Sequence, residues 1–204
     1  MHLATVITVS LAENLSGSRL KFGHGLKLPG DASGYVVVES SKKPKLKELT
    51  IEAFMQPTKP TGKWQGIICK QKAGCGNRNY GIWVHATNNK LYAQIGSGGA
   101  GDFSIDGESV ITDKKWHHVA FTYGGKIGRT YVDGKLKTEK AHGKDPFFSD
   151  DPIILGVIDE ARISKVARSE KEINEAMKLG LATLLSVRPE RKLTTMWGNI
   201  KRSP

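Results

Sequence analysis

The sequence predicts an all-β domain, folded as a two-sheet antiparallel sandwich or barrel, with one short helix near the C-terminal end. Three observations carry this. The middle of the chain is a series of short apolar and β-branched runs separated by Gly, Asn and Asp. One separator, Asp133-Gly134, is a strong two-residue hairpin turn, because that turn type needs positive φ. Helical periodicity occurs once, after a capping box at Ser169. There is no internal repeat and no heptad pattern.

Taken in order, Tyr35-Val36-Val37-Val38 is β-branched and aromatic. Leu49 to Met55 alternates with period two, with Leu49, Ile51, Ala53 and Met55 on one face. Gly66 to Cys69 is a short apolar run. Tyr80–Val84 and Lys90–Ile95 flank Thr87-Asn88-Asn89 and predict a hairpin. In the stretch from Trp116 to Leu136, Val119, Phe121 and Tyr123 share one face of a strand, while His118, Ala120 and Thr122 share the other. Gly124-Gly125 starts a loop, Arg129 to Val132 is the next strand, and Lys135-Leu136-Lys137 returns across the Asp133-Gly134 turn. Ser169-Glu170-Lys171-Glu172 then opens the helix, Ile173, Ala176, Met177 and Leu179 form its apolar stripe, and Gly180 ends it. Residues 1–19 read as a weak leader, 20–168 as the sandwich, 169–180 as the helix and 181–204 as a basic tail.

Composition excludes several classes. A chain of 204 residues buries roughly 70 % of its unfolded surface and folds without a metal or a disulfide net. No apolar run reaches the roughly 18 residues of a membrane span. The chain carries 31 Lys+Arg against 20 Asp+Glu, a net charge of +11, which suggests an acidic partner. Residues 1–102 hold 13 basic against 6 acidic side chains and residues 103–204 hold 18 against 14, so no half is a basic domain. Basic and aromatic residues are not interleaved on one surface as nucleic-acid binding requires, so no nucleic acid is expected.

Leu3–Ala12 is apolar enough for an export signal, with Ser10-Leu11-Ala12 fitting a small-x-small cleavage site, although no cation precedes it. The alternative is a first β-strand of a cytoplasmic domain. With export, the protein is secreted, periplasmic or on the cell surface, and Asn14-Leu15-Ser16 is a sequon. In an oxidising compartment Cys69 and Cys75 can close a short disulfide loop worth about 2 kcal/mol. The alternative is two unrelated thiols, Cys69 in a strand and Cys75 in a loop. Lys42, Lys43, Lys45 and Lys47 make a basic patch beside Pro44, set either against an acidic polysaccharide or simply against water.

Four motifs in order carry a family likeness: Lys115-Trp116-His117-His118-Val119-Ala120-Phe121-Thr122-Tyr123, Tyr131-Val132-Asp133-Gly134, Val157-Ile158-Asp159-Glu160-Ala161-Arg162-Ile163, and Ser169-Glu170-Lys171-Glu172-Ile173. Gly30-Asp31 to Tyr35-Val36-Val37 and Leu49 to Phe54 extend it. The chain resembles the laminin-G-like, concanavalin A-like jelly-roll family in its bacterial, pentraxin-related form, over roughly residues 20–175. One departure is that Ile153-Ile154-Leu155-Gly156 runs straight into Val157-Ile158-Asp159-Glu160, where the family pattern has a loop. The tail from Lys192 to Lys201 is similar to the ending of some secreted bacterial members.

The resemblance implies a jelly-roll sandwich and non-catalytic recognition of a glycan or an extracellular protein. It also implies a Ca²⁺ ion, with Asp31, Asp159 and the Gly30 carbonyl as its ligands. For a sugar, stacking and hydrogen-bonding groups point to Trp64, Asn77, Arg78, Asn79 and Tyr80, with Trp83 and Trp116 assigned to the core. A glycoside hydrolase on this fold needs two carboxylates on one strand face, the E-x-D or E-x-E pattern, and none is expected on a strand. His117 and His118 are strand neighbours that point apart, so they do not chelate together. No nucleophile elbow is present, and the Gly-rich stretch 96–101 lacks the Lys and helix of a phosphate loop. The alternative to glycan binding is a structural or adhesion module that holds another protein chain.

Overall fold

Leu49, Ile51, Ala53 and Met55 are all buried, as their period-two spacing predicts, and they sit at the centre of the molecule. The computed structural model describes residues 6–9, 19–20, 23–24, 36–38, 46–57, 60–71, 78–96, 102–143, 145–149, 151–155, 158 and 161–180. In chain order the strands are β1 (Val6–Val9), β2 (Arg19–Leu20), β3 (Gly23–His24), β4 (Val36–Val38), β5 (Leu49–Met55), β6 (Gln65–Lys70), β7 (Tyr80–Val84), β8 (Lys90–Ile95) and β9 (Phe103–Val110). They continue with β10 (His117–Tyr123), β11 (Ile127–Val132), β12 (Lys135–Ala141), β13 (Ile153–Leu155) and β14 (Ala161–Ser164), and α1 spans Glu170–Leu179.

The first sheet runs β1-β14-β5-β10-β11-β12 and the second β4-β13-β6-β7-β8-β9, while β2 and β3 pair separately. Every pairing is antiparallel, as in a jelly-roll sandwich. Val6–Val9, inside the segment read above as a leader, pairs with β14 as the edge strand of the first sheet. The shortened run after Ile153 changes sheet: β13 lies between β4 and β6, and β14 lies between β1 and β5. The missing loop therefore shortens the crossing without removing either strand.

Between the sheets, Val119, Phe121 and Tyr123 of β10 and the inward residues of β5 join Ile82 and Val84 of β7 and Leu91, Ala93 and Ile95 of β8 in one core. Burying each larger apolar side chain contributes roughly 1.5–3 kcal/mol. Asp133 and Gly134 take φ of 51° and 74°, which confirms the predicted β11–β12 turn.

Simple alternation predicts that the other face of β5 and β10 meets water. All seven residues of each strand are instead buried. The cause is α1. Ile173 packs on Ala120 and Tyr131, and Ala176 packs on Phe54 beside Trp116 and Met177. Beneath the start of the helix, Glu52 meets Arg162 Nη2 at 2.7 Å, His118 Nε2 at 3.3 Å and Arg168 Nε at 3.7 Å. Burial pushes the Glu52 carboxyl up, but His118 and Arg162 outweigh it and hold the group below its ordinary range. The two histidines do point apart. His118 is buried against Glu52 and the Phe54 ring, whereas the His117 ring nitrogens each lie 2.8 Å from a carboxylate, Asp133 and Asp113.

Candidate functional site

Because α1 lies on the first sheet, the outer face of the second sheet is the place to look for chemistry. Tyr80, Ile82 and Val84 face the core, so Gly81 and Trp83 between them face outward. Cross-strand register then sets Gln94 opposite Gly81, Tyr92 opposite Trp83, and Asp106 opposite Tyr92. Gly81 is a requirement of this arrangement. A Cβ there would lie 2.6 Å from the Trp83 Cη2 atom and 2.8 Å from the Ile68 carbonyl oxygen, so the indole occupies the space a side chain would need.

At one end of the face the rings cluster. Trp64, which precedes β6, is 49 % exposed. Its ring lies 4.3 Å from His85 and 4.7 Å from Tyr92. Trp83 stands 6.0 Å from Tyr92, edge-on. His85 Nδ1 accepts from Thr87 N at 3.1 Å, which orients the ring, and its Nε2 lies 3.9 Å from Asp106. The packed rings hold the exposed Trp64 indole in place as an apolar plane.

The other end is polar. The Arg78 guanidinium lies 5.7 Å from the centre of the Trp83 ring and donates from Nη1 to Gln94 Oε1 at 2.9 Å. Gln94 donates in turn from Nε2 to Asp102 Oδ2 at 2.7 Å. The backbone beside Arg78 is pinned, because Asn79 N donates to Lys70 O and Gly96 N donates to Asn79 O. An exposed aromatic plane at one end of a face and oriented donors and acceptors at the other are suited to an extended ligand that offers apolar ring faces to stack and polar groups to bond.

The expected contact residues divide. Trp64 is exposed and Arg78 is half-buried, and both belong to this face. Tyr80 is corrected: it is 2 % exposed, sits in the core, and burial pushes its phenol pKa up. Asn79 is corrected too, since its side chain is buried and bonded to Ser149 at 2.6 Å. Asn77 lies outside the described residues. Trp83, assigned to the core, is buried on the outer face. Tyr92, His85, Gln94, Asp102 and Asp106 were missed, although alternation through the Tyr80–Ile95 hairpin puts Trp83, Tyr92 and Gln94 on one face.

The expectation that no strand carries spaced carboxylates also needs correction: Asp106-Gly107-Glu108 lies in β9, and both carboxylates are exposed. The ladder with β8 is irregular there, with Asp106 paired to Tyr92 and Val110 to Lys90, and Glu108 falls between the paired positions. Asp106 and Glu108 are exposed on either side of the buried Gly107.

The metal positions Asp31, Asp159 and Gly30 lie outside the described residues. Among the described residues no group of three or more His, Cys, Asp or Glu is placed to hold a metal ion. Of the basic patch, Lys42, Lys43 and Lys45 lie outside, and Lys47 is exposed with Asp145 at 3.8 Å. Cys69 is buried and its Sγ donates to Ile82 O at 3.7 Å, while Cys75 lies outside the described residues.

Residues 30–174 match the family model described as the concanavalin A-like lectin/glucanases superfamily. The chain belongs to this superfamily. Its laminin-G-like sandwich is similar to the botulinum neurotoxin serotype D binding domain, at TM-score 0.65 and 14 % identity, covering 86 % of this chain and 46 % of that one. It is also similar to the binding domain of Paraclostridial Mosquitocidal Protein 1, at TM-score 0.64 and 14 % identity, covering 84 % and 45 %. This concanavalin A-like chain thus spans less than half the length of those toxin domains. The Ruminococcus gnavus IT-sialidase CBM40 matches at TM-score 0.57 and 15 % identity, covering 69 % of this chain and 91 % of that one. No curated protein matches the chain. At these identities the solved structures share the fold, and no helix among the described residues is long and apolar enough to cross a membrane.

Proposed function

We propose that this chain is a non-catalytic recognition module, acting outside the cell, that holds a glycan on the outer face of its second sheet. The observation that carries it is the exposed Trp64 indole, braced by His85 and Tyr92, on the same face as the hydrogen-bonded series Arg78–Gln94–Asp102. Sugar rings stack their C–H faces on indoles and bond their hydroxyls to amides, carboxylates and guanidinium groups. The similar sialidase module has been solved bound to α2,3-sialyllactose, which supports a saccharide as the ligand class.

The test is saccharide binding by titration calorimetry with the parent chain and Trp64→Ala. Trp64 is half-exposed, so the variant keeps its melting temperature, and glycan affinity falls about tenfold or more. Unchanged glycan affinity in a folded Trp64→Ala variant removes this face as the site. Silence on every glycan together with capture of one protein partner selects the adhesion alternative.

Calcium belongs to the same proposal. Its ligands in this proposal are the Asp31 and Asp159 carboxylates and the Gly30 carbonyl, the set that the family resemblance implies.

A further inference from the structure

The +11 net charge calls for an acidic partner, yet the charges on the candidate face do not follow it. Among the described residues Lys63 precedes Trp64, Lys90 starts β8, Asp106 and Glu108 lie in β9, and Lys140 Nζ donates to Ser104 O of β9 at 2.9 Å; Lys63, Asp106, Glu108 and Asp102 are exposed and Lys90 is half-buried. Arg78 is the guanidinium of this face among the described residues. Its Nη1 is bonded to Gln94, its plane lies over Trp83, and Gln94 ties it to the Asp102 carboxylate. A carboxylate or sulfate brought to Arg78 must compete with that arrangement and approach Asp102 as well. At the ring end, the Asp106 carboxylate lies 3.9 Å from His85 and opposite Tyr92 in the ladder. An ionised carboxylate only accepts hydrogen bonds, so it pairs with hydroxyl donors and repels an acidic sugar.

Resting on the proposal that this face holds a glycan, we infer that its ligand is an uncharged oligosaccharide, read by stacking on Trp64 and by hydroxyl donors to Asp106 and the Arg78–Gln94–Asp102 series. Specificity comes from the rings and the acceptors.

The full chain is titrated with three soluble probes: a neutral hexose oligomer panel, a uronate or sulfated oligomer, and a partly deacetylated chitin oligomer, each at low and high salt. The expected result is saturable binding of a neutral oligomer that survives high salt and weakens about tenfold in Trp64→Ala. Acidic-oligomer binding is expected to fade with salt and to be indifferent to Trp64→Ala. An acidic oligomer that binds tightest in high salt and is lost in Arg78→Gln overturns the inference while leaving the glycan face intact. Tightest binding of the chitosan oligomer, lost in Asp106→Asn, overturns it in favour of an ammonium-bearing sugar. No saccharide binding at all, by a protein of normal melting temperature, overturns the glycan face and this inference together.

Discussion

Glu52 illustrates how one side chain organises a face of the sheet. Its carboxylate is fully buried and is met by Arg162, His118 and Arg168 from β14, β10 and the segment leading into α1. Glu52→Gln removes the buried carboxylate that Arg162, Arg168 and His118 share, which predicts a loss of about 3–5 kcal/mol, read as a lower urea midpoint at neutral pH. His117 gives a pH signature. Its hydrogen bond to Asp133, and then the one to Asp113, raise its pKa above 6.5 despite burial. Asp113 is held down at about 2, first by its bond to His117. The raised histidine stabilises the fold fully below pH 6.5, and this is lost as pH climbs through its folded value. The lowered carboxylate stabilises above its ordinary value of 3.8 and is lost as pH falls towards 2. The melting temperature should therefore be highest between about pH 4 and 6.5, and His117→Asn should flatten the alkaline limb. The adjacency of His117 and His118 predicts opposite directions for the rings, but it does not name Glu52, 66 positions away from His118, as a partner.

At the scale of elements, local sequence did well where the forces are local. The capping box is present as predicted: Glu172 N donates to Ser169 Oγ, and Ser169 N donates to Glu172 Oε2 at 2.8 Å. Ser169→Ala should cost about 1 kcal/mol. Ile173→Ala should cost more, about 2–5 kcal/mol, because Ile173 is fully buried against Ala120 and Tyr131. Chemical denaturation of both variants checks the order, and an equal or smaller effect for Ile173→Ala would mean that α1 is not docked as described. The hairpins were legible for the same local reason. What alternation alone could not supply was which face of β7 meets water. Trp83 reads as core because it is large and apolar, and it is indeed buried, but beneath Arg78 and beside Tyr92 on the outer face. Tyr80, two residues from Ile82 on the inner face, goes the other way.

The whole molecule has two sheets and therefore two outer faces, and the helix covers the one that carries Glu52. This leaves the Trp64–Tyr92 face as the proposed recognition surface. Ca²⁺ at about a hundredfold excess over its Kd should raise stability by about 2.7 kcal/mol, seen as a higher melting temperature that a chelator reverses. Asp159→Asn should abolish the rise, and a melting temperature indifferent to both Ca²⁺ and chelator removes the ion from the proposal. By itself the sequence determined the antiparallel sandwich, the β5 and β10 core faces, the Asp133-Gly134 turn and the capped helix, because alternation, turn geometry and capping act over a few residues. Tertiary structure alone decided that the polar face of β5 is buried, that Val6–Val9 joins β14, and that Trp64, His85, Tyr92 and Arg78 meet on one surface. Those outcomes depend on which distant strands pair and where the helix docks, and no short-range pattern encodes them.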